Sequence, residues 1–265
     1  MAADLKPLLD DLAAESAVLD ALLGPLPPGS WRRPTPAAGW TIADQVSHLA
    51  YFDDVTLVSI TDPERFRRQA QALAADGDDY PERVAAGHRH LTGEELLSWF
   101  RTARQSLLDS YAGCDPATRL PWFGPDMGVA SSVTARLMET WAHGQDIADT
   151  LGAERRPTAR LRHVAHIGIR ALPYSYTVND LPVPDQPIRV ELTAPDGELW
   201  MWGPPGATDR VAGAALDFCL AVTQRRHLAD TGLAVTGPVA RQWMAIAQAF
   251  AGPAGPGRPP TMGRS

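Results

Sequence analysis

Glu139-Thr140-Trp141-Ala142-His143 is the stretch on which the reading of this chain turns. Residues i and i+4 of an α-helix lie on one face, a turn apart. Glu139 and His143 therefore aim at a common point if the segment is helical. Ser131 or Ser132 can cap such a helix, and Gly152 can end it. Roughly ninety positions upstream, Trp40-Thr41-Ile42-Ala43-Asp44-Gln45-Val46-Ser47-His48 starts another helix and carries a lone histidine, His48. Thr41 is its expected N-cap, with Asp44 three residues later as the acid of a capping box. A histidine facing the Glu139/His143 pair completes a His/His/carboxylate set. Three such ligands leave a divalent metal one open position, the pattern of a catalytic rather than a structural site.

The rest of the first 155 residues supplies a setting for such a site. Leu5, Leu8, Leu9, Leu12, Leu19, Leu22 and Leu23 predict a helix over about 2–23, ended by Pro25 to Gly29. Ile42, Val46, Leu49 and Val55 form the apolar stripe of the helix that carries His48. Asp62-Pro63-Glu64 opens a short Arg/Gln/Ala-rich helix, and residues 76–81 read as a loop. Thr92-Gly93-Glu94-Glu95 is a capping box for a long helix through Leu96, Leu97, Trp99, Phe100, Leu107 and Leu108. Four long helices imply a bundle, in which metal sites form from facing side chains.

After residue 155 the pattern changes. A helix is expected near 158–172, stopping before Pro173. Strands are expected at 188–193 and 198–202 around the turn Pro195-Asp196-Gly197, with a short strand at 233–236 and helices at 208–225 and 238–251. The fold class is thus mostly α: a four-helix bundle over 1–155, a small α+β domain over 156–251, and a Gly/Pro-rich tail over 252–265 expected to be disordered.

Bulk composition narrows the function. A net charge of −7 argues against nonspecific nucleic-acid binding. No run of about 18 apolar residues exists to span a membrane. Met1-Ala2-Ala3-Asp4-Leu5 lacks the start of a signal peptide, so a cytoplasmic protein is expected. Cys114 and Cys219 are far apart and lie in no nucleophile or redox motif; a disulfide is not expected. A single lysine, Lys6, among many arginines suggests a high-GC, actinobacterial source.

Arg136 and Asp146 share the helical face of Glu139 and His143; Asp44, Tyr51 and Val55 share that of His48. Such polar strips either face solvent or are built for a ligand. An i,i+4 Glu/His pair also arises on ordinary solvated helices, and a lone histidine is ordinarily a satisfied core or surface residue. Of the remaining histidines, His163 and His166 are spaced i,i+3 but sit among Arg160, Arg162 and Arg170, a poor setting for a cation. His88-Arg89-His90 is expected at the surface, and His227 has no partner in sequence.

Two stretches shift this balance. Residues 40–49 have a Trp-Thr opening a helix that ends in His-Leu, and Met138–Asp149 has Glu, Trp, His and Asp at matching spacing. Both resemble the mycothiol-dependent maleylpyruvate isomerase family, within the DinB/YfiT-like metal-binding superfamily. The resemblance covers the DinB-like bundle and extends weakly into the C-terminal domain. It implies a divalent metal, usually zinc, held by His48, Glu139 and His143; nickel or iron would accept the same donors. It also implies a low-molecular-weight thiol, mycothiol, as co-substrate, and a C-terminal arginine at the substrate site, for which Arg225 and Arg226 are nearest by context. Asp44 or Asp146 could orient an imidazole from behind.

Three readings follow. In the first, the metal activates a small thiol that adds to an electrophilic small molecule, giving isomerisation or S-transfer. In the second, a metal-bound water serves a hydrolase or lyase, with Asp44, Tyr51 or Asp146 as base. The third is a non-catalytic metal- or ligand-binding module. The substrate stays open, as does whether the small domain closes the site or pairs two chains as a homodimer.

Overall fold

A computed structural model describes residues 4–75, 77 and 79–261, with only the backbone of 74 and 75. Residues 2 and 3 of the expected first helix, 76 and 78 of the expected loop, and 262–265 of the expected tail lie outside the described residues. The chain forms two compact units, Met1–Arg155 and Arg156–Ser265.

The first unit contains α1 (Lys6–Leu23), α2 (Ile42–Thr61), α3 (Pro63–Ala75), α4 (Tyr80–Gly87) and α5 (Gly93–Ala112). A two-residue hairpin ladder, β1 (Arg119–Leu120) and β2 (Met127–Gly128), leads into α6 (Val129–Leu151). The four long helices close a ring: α1 and α2 each pack against both α5 and α6. Both capping boxes form. Thr41 Oγ1 accepts from the Asp44 amide at 3.3 Å while the Thr41 amide donates to Asp44 Oδ2 at 2.8 Å. Thr92 and Glu95 do the same at the start of α5. Leu19, Leu23, Trp31, Ile42, Val46, Leu49, Leu96, Phe100 and Ile147 fill one end of the core.

Local signals misplace some boundaries. α6 starts at Val129 after Gly128, not at Ser131 or Ser132. Ser132 instead lies inside the helix, its hydroxyl 2.6 Å from the buried Tyr111 hydroxyl, a partner no local rule supplies. The end of the expected loop at 79–81 is the start of α4, where Pro81 occupies the first turn, a position that needs no amide hydrogen. α6 does stop at Gly152, which adopts φ 66°.

Arg136 faces neither solvent nor a ligand. Its Nε donates to Asp53 Oδ1 at 3.0 Å, and Arg104 of α5 donates to the same carboxylate through Nε at 2.8 Å and Nη2 at 3.1 Å. Arg104 Nη1 also donates to Thr140 Oγ1 at 3.0 Å and to Ser16 Oγ. All three charged side chains are buried.

The second unit contains α7 (Leu161–Arg170), α8 (Leu172–Val178), β3 (Ile188–Thr193), β4 (Leu199–Trp202), β5 (Asp209–Ala214), α9 (Ala215–Val222), β6 (Ala234–Thr236) and α10 (Pro238–Ile246). Pro173 does not end a helix here; it sits in the first turn of α8. The segment expected as one helix over 208–225 is half strand. β5 runs parallel to β3, with Ile188 opposite Asp209, and antiparallel to β6, in a sheet ordered β4-β3-β5-β6. Its alanines and glycine read locally as helix, but Val211, fully buried between two strand neighbours, is fixed by pairing that only the fold provides. Asp209 at its start accepts from the Ala240 amide at 2.8 Å and so caps α10 from across the sheet. Residues 252–261 carry no helix or strand. The Tyr174 hydroxyl donates to the Gly252 carbonyl at 2.6 Å, and the Thr261 amide donates to Asp230 Oδ2 at 2.8 Å.

Gly203, after β4, has φ 75°, and a Cβ there would stand 2.1 Å from the Ile188 carbonyl oxygen. Backbone cannot give way as a side-chain tip can. Gly203→Ala should therefore lower stability by about 1–3 kcal/mol, read as an earlier denaturation midpoint at unchanged slope. A neutral result would mean that the turn leading out of β4 is free to rearrange.

Candidate metal centre

His48 lies near the middle of α2; Glu139 and His143 lie one turn apart on α6, which packs against it. The structure brings the three together: one ligand atom from each lies within 4.8 Å of the others. Glu139 Oε2 is 3.0 Å from His143 Nε2 and 3.9 Å from His48 Nε2. Tetrahedral ligation with bonds of about 2.0–2.2 Å separates donor atoms by about 3.3–3.6 Å, so the observed spacings bracket what a small divalent cation needs. Two imidazoles and one carboxylate also have the right chemistry for zinc, with nickel and iron as alternatives. The side chains are 13%, 19% and 9% exposed for His48, Glu139 and His143. The centre thus sits in the bundle wall, sheltered but within reach of solvent.

Aromatic rings frame it. Phe52 lies 4.6 Å from the His48 ring centroid, and the two imidazoles are 4.6 Å apart. Trp40 covers both, 5.3 Å from His48 and, stacked, 5.9 Å from His143. Burial would raise the Glu139 pKa, but the hydrogen bond to His143 and the charges of His143, His48 and Arg136 outweigh it and hold it at about 2. Glu139 is then anionic at any physiological pH, as a carboxylate ligand to a cation must be. Because its folded pKa lies below the ordinary 4.5, its contribution to the metal-free fold is present above about pH 4.5 and fades as pH falls toward 2.

Behind His143 stands Gln45, fully buried one turn before His48 on α2. Its Oε1 faces His143 Nδ1 at hydrogen-bond distance. Its Nε2 donates to Thr35 Oγ1 at 2.9 Å and faces Asp146 Oδ2 at 3.5 Å. Thr35 Oγ1 in turn donates to the Trp40 carbonyl at 2.9 Å. Gln45 was not among the sequence candidates. The signal for it was present: an amide three residues from His48, on the face that also carries Ile42 and Leu49.

Asp44 is buried and engaged by Thr41 and by Arg89, whose Nε donates to Asp44 Oδ1 at 2.9 Å. Burial pushes its pKa up, but the bonds from Arg89 and Thr41 prevail and lower it. Arg89, at the surface as expected, also donates to the Gly39 carbonyl at 3.1 Å. His88, its neighbour, packs its ring 4.7 Å from that of Trp99. Asp146 Oδ2 faces Gln45 Nε2, the amide that stands behind His143. Tyr51 has its pKa raised by burial and lines a groove of about 430 Å³ along α2 and α3 with Asp54, Val58, Arg65, Gln69 and Leu73. Arg225 and Arg226 follow α9 in the second unit, where Arg226 Nη1 donates to the Arg225 carbonyl at 2.7 Å. Burial raises the thiol pKa of both Cys114 and Cys219.

Residues 12–148 match the family model described as the mycothiol maleylpyruvate isomerase N-terminal domain, and residues 184–236 match one described as wyosine base formation. Two uncharacterized proteins of Mycobacterium tuberculosis, from strains CDC 1551 / Oshkosh and ATCC 25618 / H37Rv, are each 46% identical to the chain over 256 residues, covering 97% of it and 100% of their own length. Among solved structures, a mycothiol-dependent maleylpyruvate isomerase superposes with a TM-score of 0.60 at 13% identity, over 88% of this chain and 93% of that one. A histidine-to-alanine mutant of a mycothiol-dependent maleylpyruvate isomerase gives 0.58 at 13%, over 84% and 90%. At that identity the structural likeness is one of fold.

Proposed function

Because the chain belongs to the mycothiol-dependent maleylpyruvate isomerase family, we propose that it is a divalent-metal-dependent enzyme that uses a small thiol of the mycothiol kind against an electrophilic small molecule. The observation that carries this reading is the convergence of His48, Glu139 and His143 ligand atoms within 4.8 Å. A divalent cation held there lowers the pKa of a thiol at its open position, so that thiolate is available at neutral pH.

The chain's own residues do the remaining work. Glu139, ionised, offsets part of the cation's charge and, as a ligand, is not a proton acceptor. Trp40 and Phe52 exclude water from the flanks of the two imidazoles, which strengthens the electrostatic interactions there. The nucleophile is proposed to come from outside the protein, because neither cysteine lies on α2 or α6: Cys114 follows α5 and Cys219 lies in α9. Of the bases that a hydrolase or lyase could use, Asp44 is held by Arg89 and Thr41, and burial raises the Tyr51 pKa, which disfavours both in that role. The thiolate adds to an electrophilic carbon. Rotation about the former double bond and expulsion of the thiol give isomerisation; retention of the new C–S bond gives S-transfer.

Turnover of an electrophilic substrate should therefore require both zinc and mycothiol. Assays crossing chelated and zinc-loaded protein with and without thiol check this. Equal rates in chelated and loaded protein, or full activity without thiol, would overturn the proposal. No helix among the described residues is long and apolar enough to cross a membrane.

A further inference from the structure

We propose that Gln45 is a positioning residue that sets the tautomer of His143 and so determines how tightly the centre takes up a cation. The inference rests on the reading that His48, Glu139 and His143 hold such a cation. The orientation of the amide follows from its surroundings. Its Nε2 faces two oxygens that need a donor: the Asp146 carboxylate, and Thr35 Oγ1, whose own proton goes to the Trp40 carbonyl. Turning the amide over would set its carbonyl against Asp146. Oε1 must therefore face His143, and an amide oxygen only accepts. His143 Nδ1 then carries the proton in that bond.

The consequence lies on the other side of the ring. In a neutral imidazole with Nδ1 protonated, Nε2 presents a lone pair, the form that binds a metal. Glu139 Oε2, 3.0 Å from Nε2, pulls the other way, because a carboxylate favours a proton on the nitrogen it faces. Without Gln45 the neutral ring would rest as the Nε2–H tautomer, hydrogen-bonded to Glu139. The cation would then have to displace that proton and break the pair to enter. Gln45 opposes this locked state. Because Thr35 and Asp146 fix the amide, and Thr35 also holds the backbone at Trp40, the same contact joins the ring's tautomer to the loop that covers it.

Zinc affinity of the full-length protein, measured by competition with a chromogenic chelator, tests the idea without any substrate. Gln45→Leu should bind zinc about 10–100-fold more weakly, while Gln45→Glu combined with Asp146→Asn, which keeps an acceptor toward Nδ1 and reverses the donor and acceptor on the other side, should restore wild-type affinity or exceed it. Imidazole ¹⁵N shifts of the metal-free protein in alkaline buffer should show Nδ1–H for His143 in the wild type and predominantly Nε2–H in Gln45→Leu. Undiminished affinity in Gln45→Leu, or an equal loss in Gln45→Glu combined with Asp146→Asn, would overturn the inference while leaving the metal centre standing. Zinc bound by no form, wild type included, would remove the centre and this inference together. If Gln45→Leu fails to fold, Thr35→Val frees one side of the amide instead. It should show a smaller weakening with a mixed tautomer, and wild-type behaviour in both readouts would again overturn the inference.

Discussion

Asp53→Ala is expected to cost the fold about 3–5 kcal/mol, a large share of the stability of an ordinary domain. Asp53 is fully buried and receives three donors from Arg104 and Arg136, both also buried. Truncating the acid leaves two guanidinium groups facing each other without water or counter-charge. The effect should be asymmetric. Arg136→Met keeps Asp53 in bidentate contact with Arg104 and replaces one charge by apolar volume, so its cost should be well below that of Asp53→Ala. Urea unfolding of the three proteins compares them directly. A loss below about 1 kcal/mol for Asp53→Ala, in the range of an exposed ion pair, would mean that water reaches the arginines and that the link is not sealed in the core.

His143→Ala should abolish stoichiometric metal binding. Loss of a direct ligand should exceed the roughly 10–100-fold drop expected for an outer contact. Metal analysis of purified wild-type and variant protein reads this, and thermal unfolding reads it independently. A ligand at a hundred times its Kd adds about 2.7 kcal/mol to the folded state, so zinc should raise the wild-type midpoint and leave that of His143→Ala unmoved. Affinity should also fall in acid, because protons compete for the imidazoles, whereas Glu139, held at about 2, stays ionised. Equal metal content in both proteins, or a wild type that zinc does not stabilise, would return the trio to the status of ordinary helix residues.

How far the sequence could be read depended on how local each cause was. The capping boxes at Thr41 and Thr92 use donors and acceptors three residues apart, and both stand where the sequence puts them. The i,i+4 spacing of Glu139 and His143 is likewise a property of one helix. The approach of His48 needed the bundle, and the bundle was legible because four apolar periodicities separated by loops have few ways to pack. The partners of Asp53 were not legible. An acid on the stripe that carries Val46 and Leu49 calls for a buried cation, but nothing in α2 says that two arginines from two other helices answer. β5 was lost for the same reason, since Asp209–Ala214 becomes a strand through β3 and β6, which flank it in space and not in sequence. Gln45 was passed over because a glutamine in a helix is commonplace until its neighbours are known.

With an ion in the proposed centre, α2 and α6 would be fastened to one another twice. Five residues past His48 on α2, Asp53 holds Arg136, which lies one turn before Glu139 on α6, and Arg136 Nη2 also reaches the Leu49 carbonyl at 3.4 Å. One fastening is permanent and the other detachable. Stripping the ion should therefore leave the two helices parked at their working separation, as an empty socket and not a collapsed one. Loading and unloading would then be a matter of entry and exit through the sheltered mouth of the site, with no refolding of the bundle, and the protein is expected to be demetallated and charged again without losing its shape.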